Sequence, residues 1–262
     1  MRVSWKMIVG VVVAVCVVGC MGGSKDGPTP CPWPAVFSTQ WDIAVTNTTT
    51  PPPYAETGLP PAASSRYGRG ATYYSWKDRA LREDYADFCV PIFPQSVGGF
   101  DYPCTFLNVG DTSYFLTPRS PRTPPSLPRC CVFERPWHAP PPDFLVNLHS
   151  DLDYRGSIPF SPAASGATRV WQWDVPSNEG GPFGYGFCGD KCPSAASAGE
   201  DGSVADGVPS MFYFAAIPPY TYTVQVYRDF HSVPPPADVF AIPDECHHAV
   251  QCPNFPNITR SF

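Results

Sequence analysis

Charge is scarce in this chain. Asp, Glu, Lys and Arg make up only 15% of 262 residues, the formal net charge is −6, and no basic cluster exceeds a few residues. Binding nucleic acid requires a basic face that neutralises phosphates, so no nucleic-acid partner is expected. The signatures of common catalysts are missing as well. No G-x-S-x-G elbow, P-loop or G-x-G-x-x-G cradle occurs. Cys188 and Cys192 are separated by three residues, one too many for a C-x-x-C redox centre. His149, Ser150 and Asp151 hold the three triad types in a row, but a triad is made in space and not by adjacency. Asp151-x-Asp153-x-Arg155-Gly156 opens like an EF-hand loop and then fails, with Arg at position five and Pro162 at position twelve. The chain is therefore not expected to be an enzyme, and no metal site is expected. Long helices are excluded too, because 35 prolines are spread along the chain and each costs about 3 kcal/mol in a helix interior. After Cys246 no apolar stretch occurs, so no GPI signal is expected.

What is present is aromatic and strand-forming. Aromatics reach 14%, too many for a disordered chain. Phe37, Thr39, Trp41, Ile43 and Val45 alternate with smaller or polar residues, the period of a half-buried strand. Gly70–Trp76 and Arg79–Tyr85 predict a hairpin, though its turn lacks Gly or Asn. Cys104–Val109 and Thr112–Thr117 flank Gly110-Asp111 as a second hairpin. Cys130–Phe133 and Tyr154–Phe160 are shorter strands. In Ala167–Val175, residues Arg169, Trp171, Trp173 and Val175 share one face, and Pro182–Cys188 follows. Met211–Ile217 and Thr221–Phe230 are separated by Pro218-Pro219, where a ladder cannot continue. Phe144–Ser150 is the best site for a short helix, with Asp143 as N-cap. This predicts a mainly β chain of eight or nine strands in an antiparallel meander, with one or two short helices. A sheet that wide curves around something. The Pro-rich inserts 46–65 and 118–128 are expected as surface loops.

The N-terminus has the form of a secretory signal over residues 1–23. Arg2 and Lys6 flank the apolar run Met7–Val18, and small residues follow. The run is shorter than the roughly 20 residues of a membrane-spanning helix. An uncleaved anchor is the alternative, and Val17-Val18-Gly19-Cys20 has the form of a lipobox. Membrane attachment is expected only if the signal stays uncleaved or Cys20 is lipidated. Downstream lie nine cysteines, Cys31, Cys89, Cys104, Cys130, Cys131, Cys188, Cys192, Cys246 and Cys252, which are disulfide material in an oxidising compartment. Nine is odd, and one of the adjacent pair Cys130-Cys131 is the natural free thiol. The sequons at Asn47 and Asn257 agree with a secreted, extracellular or lumenal location. Cys246-His247-His248 with Cys252 packs zinc-ligand types closely, but disulfide formation competes for those cysteines. Residues 24–252 are expected as one domain, with 253–262 as a short tail.

The order of motifs resembles the ependymin-related proteins, whose domain is similar to the LolA/LolB half-barrel. Cys31-Pro32-Trp33-Pro34 stands where the family opens its mature domain. Thr72–Trp76 and Arg79–Arg82 match its aromatic and arginine-bearing hairpin, and Tyr114–Leu116 with Cys130 or Cys131 its tyrosine strand. Val170–Trp173, Cys192-Pro193 and the closing Phe240, Pro243 and Cys246 match in turn. The resemblance spans Cys31 to Cys246; the extra cysteines and long proline inserts depart from it. It implies a half-open barrel, a pairing of Cys31 with Cys192 or Cys188, and a pairing of Cys246 with Cys89 or Cys104. It also implies a secreted or lysosomal glycoprotein with an apolar pocket, and calcium binding. Residues Phe106, Tyr114, Trp171, Trp173, Phe212 and Phe214 are the candidates to line that pocket, with a lipid, acyl chain or other hydrophobic small molecule as ligand. The alternative is that these aromatics fill a dry core in an extracellular structural or surface-interaction protein, and an unidentified hydrolase comes third.

Overall fold

The computed structural model describes residues 29–46, 52, 58–60, 65–90, 101–148, 151–159, 169–175, 183–188, 208–215, 222–236 and 238–252. Eleven strands form one antiparallel sheet: β1 (Val36–Thr46), β2 (Ser65–Ser75), β3 (Ala80–Tyr85), β4 (Cys104–Val109), β5 (Thr112–Leu116), β6 (Cys130–Glu134), β7 (Asp153–Pro159), β8 (Arg169–Val175), β9 (Phe183–Cys188), β10 (Pro209–Ala215) and β11 (Tyr222–His231). That exceeds the expected eight or nine. The spatial order is β6-β5-β4-β3-β2-β1-β11-β10-β9-β8-β7. Two meanders, β1–β6 and β7–β11, are thus zipped together by the first and last strands. The register at that seam runs from Thr46↔Tyr222 to Gln40↔Arg228, then shifts at a bulge to Ser38↔His231.

The turns explain themselves locally. The β2–β3 turn lacks Gly and Asn, so Arg79 takes the left-handed conformation, with φ 49°, and the Ser75 hydroxyl hydrogen-bonds Asp78 at 2.6 Å to close it. The β4–β5 turn uses Gly110, whose φ of 59° costs glycine little. The α-helix over 144–147, α1, is a single turn, and the Asp143 side chain makes no capping bond. A turn that short gains little from a cap and is held by packing, with Leu145 fully buried.

The sheet is strongly curved. Tyr74 on β2 and Tyr185 on β9 are four strand steps apart, about 19 Å on a flat sheet. Yet the Trp33 ring lies 6.0 Å from Tyr74 and 5.2 Å from Tyr185. The strands therefore wrap toward one another, while the edges β6 and β7 do not pair. This is a half-open barrel. The described chain between those edges, residues 135–148 and 151–152, crosses the mouth as a strap carrying α1. It buries Ala139, Leu145 and Leu152 in the main core. Asn108 fastens it. Its Nδ2 donates to the Trp137 carbonyl at 2.8 Å, and its Oδ1 accepts from the Ala139 N–H at 2.9 Å. Tyr74 donates to the Pro140 carbonyl at 2.7 Å, and the Trp33 N–H to that of Pro142 at 2.8 Å.

The convex face is covered as well. Met211, Tyr213, Tyr222, Val224 and Val226 form a second core with Leu59 packed on it. Pro52, Gly58 and Pro60 are buried there or nearby, and Gln172 Nε2 reaches the Pro52 carbonyl at 3.3 Å. The insert expected as a surface loop is, at these positions, a lid on an apolar outer face. It is needed because β10 is apolar on both sides and the outer face of β11, Tyr222, Val224 and Val226, is apolar as well. Leu107, Tyr114, Cys130, Val132 and Cys246 form a third cluster at the other end.

The disulfides correct two expectations. Cys246 bonds Cys130, while Cys89 bonds Cys104. Cys131 bonds Cys252, so neither member of the adjacent pair is free. The reason is the strand period: neighbours on β6 point to opposite faces. Cys130 meets the tail on the convex side and Cys131 meets it on the concave side. Between them the tail passes the edge, where the Val132 N–H donates to Val250 and the Cys252 N–H to Val132. An otherwise open edge strand is thereby clamped and covered. Cys31 is also disulfide-bonded; of the partners expected for it, Cys192 lies outside the described residues and the side chain of Cys188 is not described, and the signal segment, Cys20, Asn47 and Asn257 lie outside the described residues too.

Candidate functional site

The concave face is aromatic with a polar belt across it. Strand alternation sends Tyr85 (β3), Trp41 (β1) and Tyr227 (β11) to the same face, and register aligns them. Tyr85 pairs Gly70, Gly70 pairs Trp41, and Trp41 pairs Tyr227. Gly70 makes room for this row. A Cβ there would lie 2.0 Å from the Trp41 ring and 2.3 Å from the Asp84 carbonyl oxygen. The Trp41 ring lies across β2, 5.1 Å from the Tyr85 ring, and its indole N–H donates to Thr72 Oγ1 at 2.9 Å.

Glu83 stands two residues before Tyr85, on the same face, and is 4% exposed. The Tyr85 hydroxyl donates to Glu83 Oε2 at 3.0 Å, and Gln225 Nε2 reaches the Tyr85 hydroxyl at 3.5 Å. Burial pushes the Glu83 carboxyl up to about 7. Asp84 adds to that, and the Tyr85 hydrogen bond opposes it. Burial, and then the nearness of Glu83, raises the hydroxyls of Tyr85 and Tyr185. Tyr227 is raised by burial first, then by Tyr185 and Glu83. These groups thus sit within electrostatic reach of one another although they come from β3, β9 and β11. Two buried polar atoms here have no hydrogen-bond partner: Gln225 Oε1 and Trp33 Nε1.

On the β3–β6 side the strap closes over the sheet, with Trp137 5.4 Å from Phe106 and edge-on to it. On the β1–β11–β10–β9 side Val45 and Phe214 are 9% exposed, Tyr185 7% and Phe212 6%, and the strap reaches here too, with the Phe144 ring 5.6 Å from that of Tyr185. Phe212 faces Tyr185 across one ladder and Gln225 across the other, and the Phe212 and Tyr185 rings stack at 4.7 Å.

Of the residues expected to line a pocket, Phe106, Trp173, Phe212 and Phe214 belong to this one concave cluster. Trp173 is 1% exposed and packed edge-on to Phe187. Trp171 pairs Phe187 in the ladder, and its side chain is outside the described residues. Tyr114 is not with the others. Alternation along β5 sends Phe115 inward and Tyr114 to the convex cluster beside Cys130. Sequence reasoning missed Glu83, Tyr85, Gln225 and Tyr227. The signal was there: a carboxylate and a tyrosine at i and i+2 on a strand, with Leu81 before them on the same face. The cysteines of the zinc-like tail cluster, Cys246 and Cys252, are both in disulfides and are not thiolate ligands. Among the described residues no group of three or more His, Cys, Asp or Glu is placed to hold a metal ion, and no helix is long and apolar enough to cross a membrane.

No family model matches the chain, and no curated protein does. Two similar solved structures are an uncharacterized conserved protein from Thermus thermophilus and LprF from Mycobacterium bovis. The first is 11% identical over 81% of this chain and 89% of that one, with a TM-score of 0.39. The second is 12% identical over 80% and 90%, with a TM-score of 0.34.

Proposed function

We infer that the chain binds an apolar ligand, a lipid or acyl chain, against the β1–β11–β10–β9 quarter of its concave face. The observation that carries this is the strip of Val45, Phe212, Phe214 and Tyr185. It is a run of apolar and aromatic side chains on the concave face, each keeping a small exposed fraction within the buried core. Covering such a strip gains about 25 cal/mol per Å² without discriminating among chains. The resemblance to ependymin-related and LolA-like domains supports the same reading. The three described disulfides fit a chain that folds in an oxidising compartment, and with the signal-like N-terminus and the sequons at Asn47 and Asn257 they support a secreted or lumenal glycoprotein.

A second reading has an observation of its own. The strap buries Leu145 and Leu152 in the cup and packs Trp137 on Phe106 and Phe144 on Tyr185, as expected of an extracellular structural or surface-interaction protein with a full core. Non-denaturing mass spectrometry of the secreted, oxidised protein with mixed fatty acids, alcohols and phospholipids separates the two. A stoichiometric adduct that Phe214→Arg abolishes is expected. A folded protein that takes up no lipid means that the core is full.

A further inference from the structure

We propose that the polar belt selects the ligand's polar end: a chain ending in an uncharged hydrogen-bond donor, such as a long-chain alcohol, is accepted and a carboxylate is refused. The inference rests on the concave face being the ligand surface. Gln225 is fully buried, and its Oε1 has no partner. A buried amide oxygen left unmet costs about 1–3 kcal/mol, so a donor is called for there, an ordered water in the empty protein or the donor group of a ligand that replaces it. It accepts only, so what meets it must donate.

The surroundings set the charge. Gln225 Nε2 is turned to the Tyr85 hydroxyl, which itself donates to Glu83. The groups that act electrostatically on Glu83 are Asp84 and Tyr85, and neither is a cation. The tyrosines that its charge reaches, Tyr85, Tyr185 and Tyr227, are neutral donors or acceptors. A ligand carboxylate would therefore bring a second negative charge beside Glu83 in a buried site with no counter-ion. It would also turn an acceptor toward the acceptor Gln225 Oε1. A hydroxyl has neither fault. Its proton meets Gln225 Oε1, and its lone pairs remain for a tyrosine hydroxyl. The alkyl chain then lies along Phe212, which faces Gln225 directly in the ladder, and Phe214 beyond it.

The test compares dodecanol with dodecanoate, which share a chain and differ at the head. Each is titrated by tryptophan fluorescence near pH 8, where dodecanoate is ionised, into the oxidised wild type and into Gln225→Leu and Glu83→Gln. Dodecanol is expected to bind at least about tenfold more tightly than dodecanoate. Gln225→Leu should weaken dodecanol about tenfold and strengthen dodecanoate slightly, because the opposing acceptor is gone. Glu83→Gln should strengthen dodecanoate by removing the opposing charge. Equal binding of the two heads by wild type overturns the head-group inference and leaves the apolar site standing. Binding of neither overturns both. The Leu variant removes an unmet polar atom and keeps the volume, so loss of folding does not mask the result; circular dichroism checks this.

Discussion

Glu83 holds its proton to about pH 7 in the folded chain, against an ordinary value of 4.5. Between those values the folded state binds more protons than the unfolded state, so stability falls as pH rises. The contribution is at its full value below about pH 4.5 and is lost as pH climbs through about 7. The spread corresponds to roughly 3 kcal/mol. Thermal melts followed by circular dichroism should therefore show a falling midpoint between about pH 5 and pH 8. Asp174 on the convex side is also raised, by burial first, and adds to the slope with the same sign. The decisive comparison is with Glu83→Gln, which should flatten the profile and gain stability at the alkaline end. An unchanged slope would mean that Glu83 does not titrate in this window. Glu83 was visible in the sequence as a letter but not as a site. Its neighbours Gln225 and Tyr227 lie about 140 residues away along the chain, and only the β1–β11 seam brings them close. Gly70 makes the same point at the residue scale. It looks like a strand-weakening glycine, and the structure shows it as the gap that receives Trp41. Gly70→Ala is expected to cost about 2–3 kcal/mol, because the clash is with a buried ring and a backbone oxygen that do not both yield. A denaturant titration measures this directly.

At the scale of elements, the strap is the piece whose attachment decides whether the mouth stays closed. Asn108 serves both a carbonyl and an N–H of the strap, from a side chain with no exposed surface. Asn108→Leu leaves the buried Ala139 N–H unmet and takes the partner from the half-buried Trp137 carbonyl. The expected loss is about 2–4 kcal/mol. Local opening of residues 135–148 should show as faster amide exchange and protease cleavage there before the sheet unfolds. If the strap stays protected while overall stability falls, Asn108 supports β4 and not the strap. Strands were legible because their period is local. The hairpins at β2–β3 and β4–β5 follow from runs of the right length around short turns. The strap was less legible. Phe144–Ser150 showed as a helix, but its place across the mouth depends on which edges the sheet leaves open. Along β11 the alternation alone does not tell which face turns inward. Tyr222, Val224 and Val226 form the apolar face, yet they are on the convex side, and the face bearing Thr223, Gln225 and Tyr227 turns inward. Both faces are buried because the proline insert covers the outer one.

For the whole molecule, the two disulfides at the β6 edge do not act independently. Cys130–Cys246 closes a separation of 116 residues, and Cys131–Cys252 one of 121. Either alone ties the tail to the same edge strand. Once one is in place, the other closes only a small ring of roughly eight residues, from Cys246 to Cys252 and back through Cys131 and Cys130. The chain-entropy account gives about 5 kcal/mol for the long loop and about 2.5 kcal/mol for the small ring. Removing either disulfide with paired Cys→Ala changes should therefore cost only about 2.5 kcal/mol, and removing both about 7 kcal/mol, more than twice the single loss. A loss of about 7 kcal/mol is comparable to the entire stability of a domain, so the double variant is expected to be unfolded or nearly so at ordinary temperature. Guanidinium titrations of the two single-disulfide variants and the double variant test this. Losses that simply add would mean that each disulfide supports a separate face of β6. Losses greater than the sum of the singles would mean that the tail clamps the edge as one unit, and the half-open barrel keeps its edge because one tail grips both of its sides.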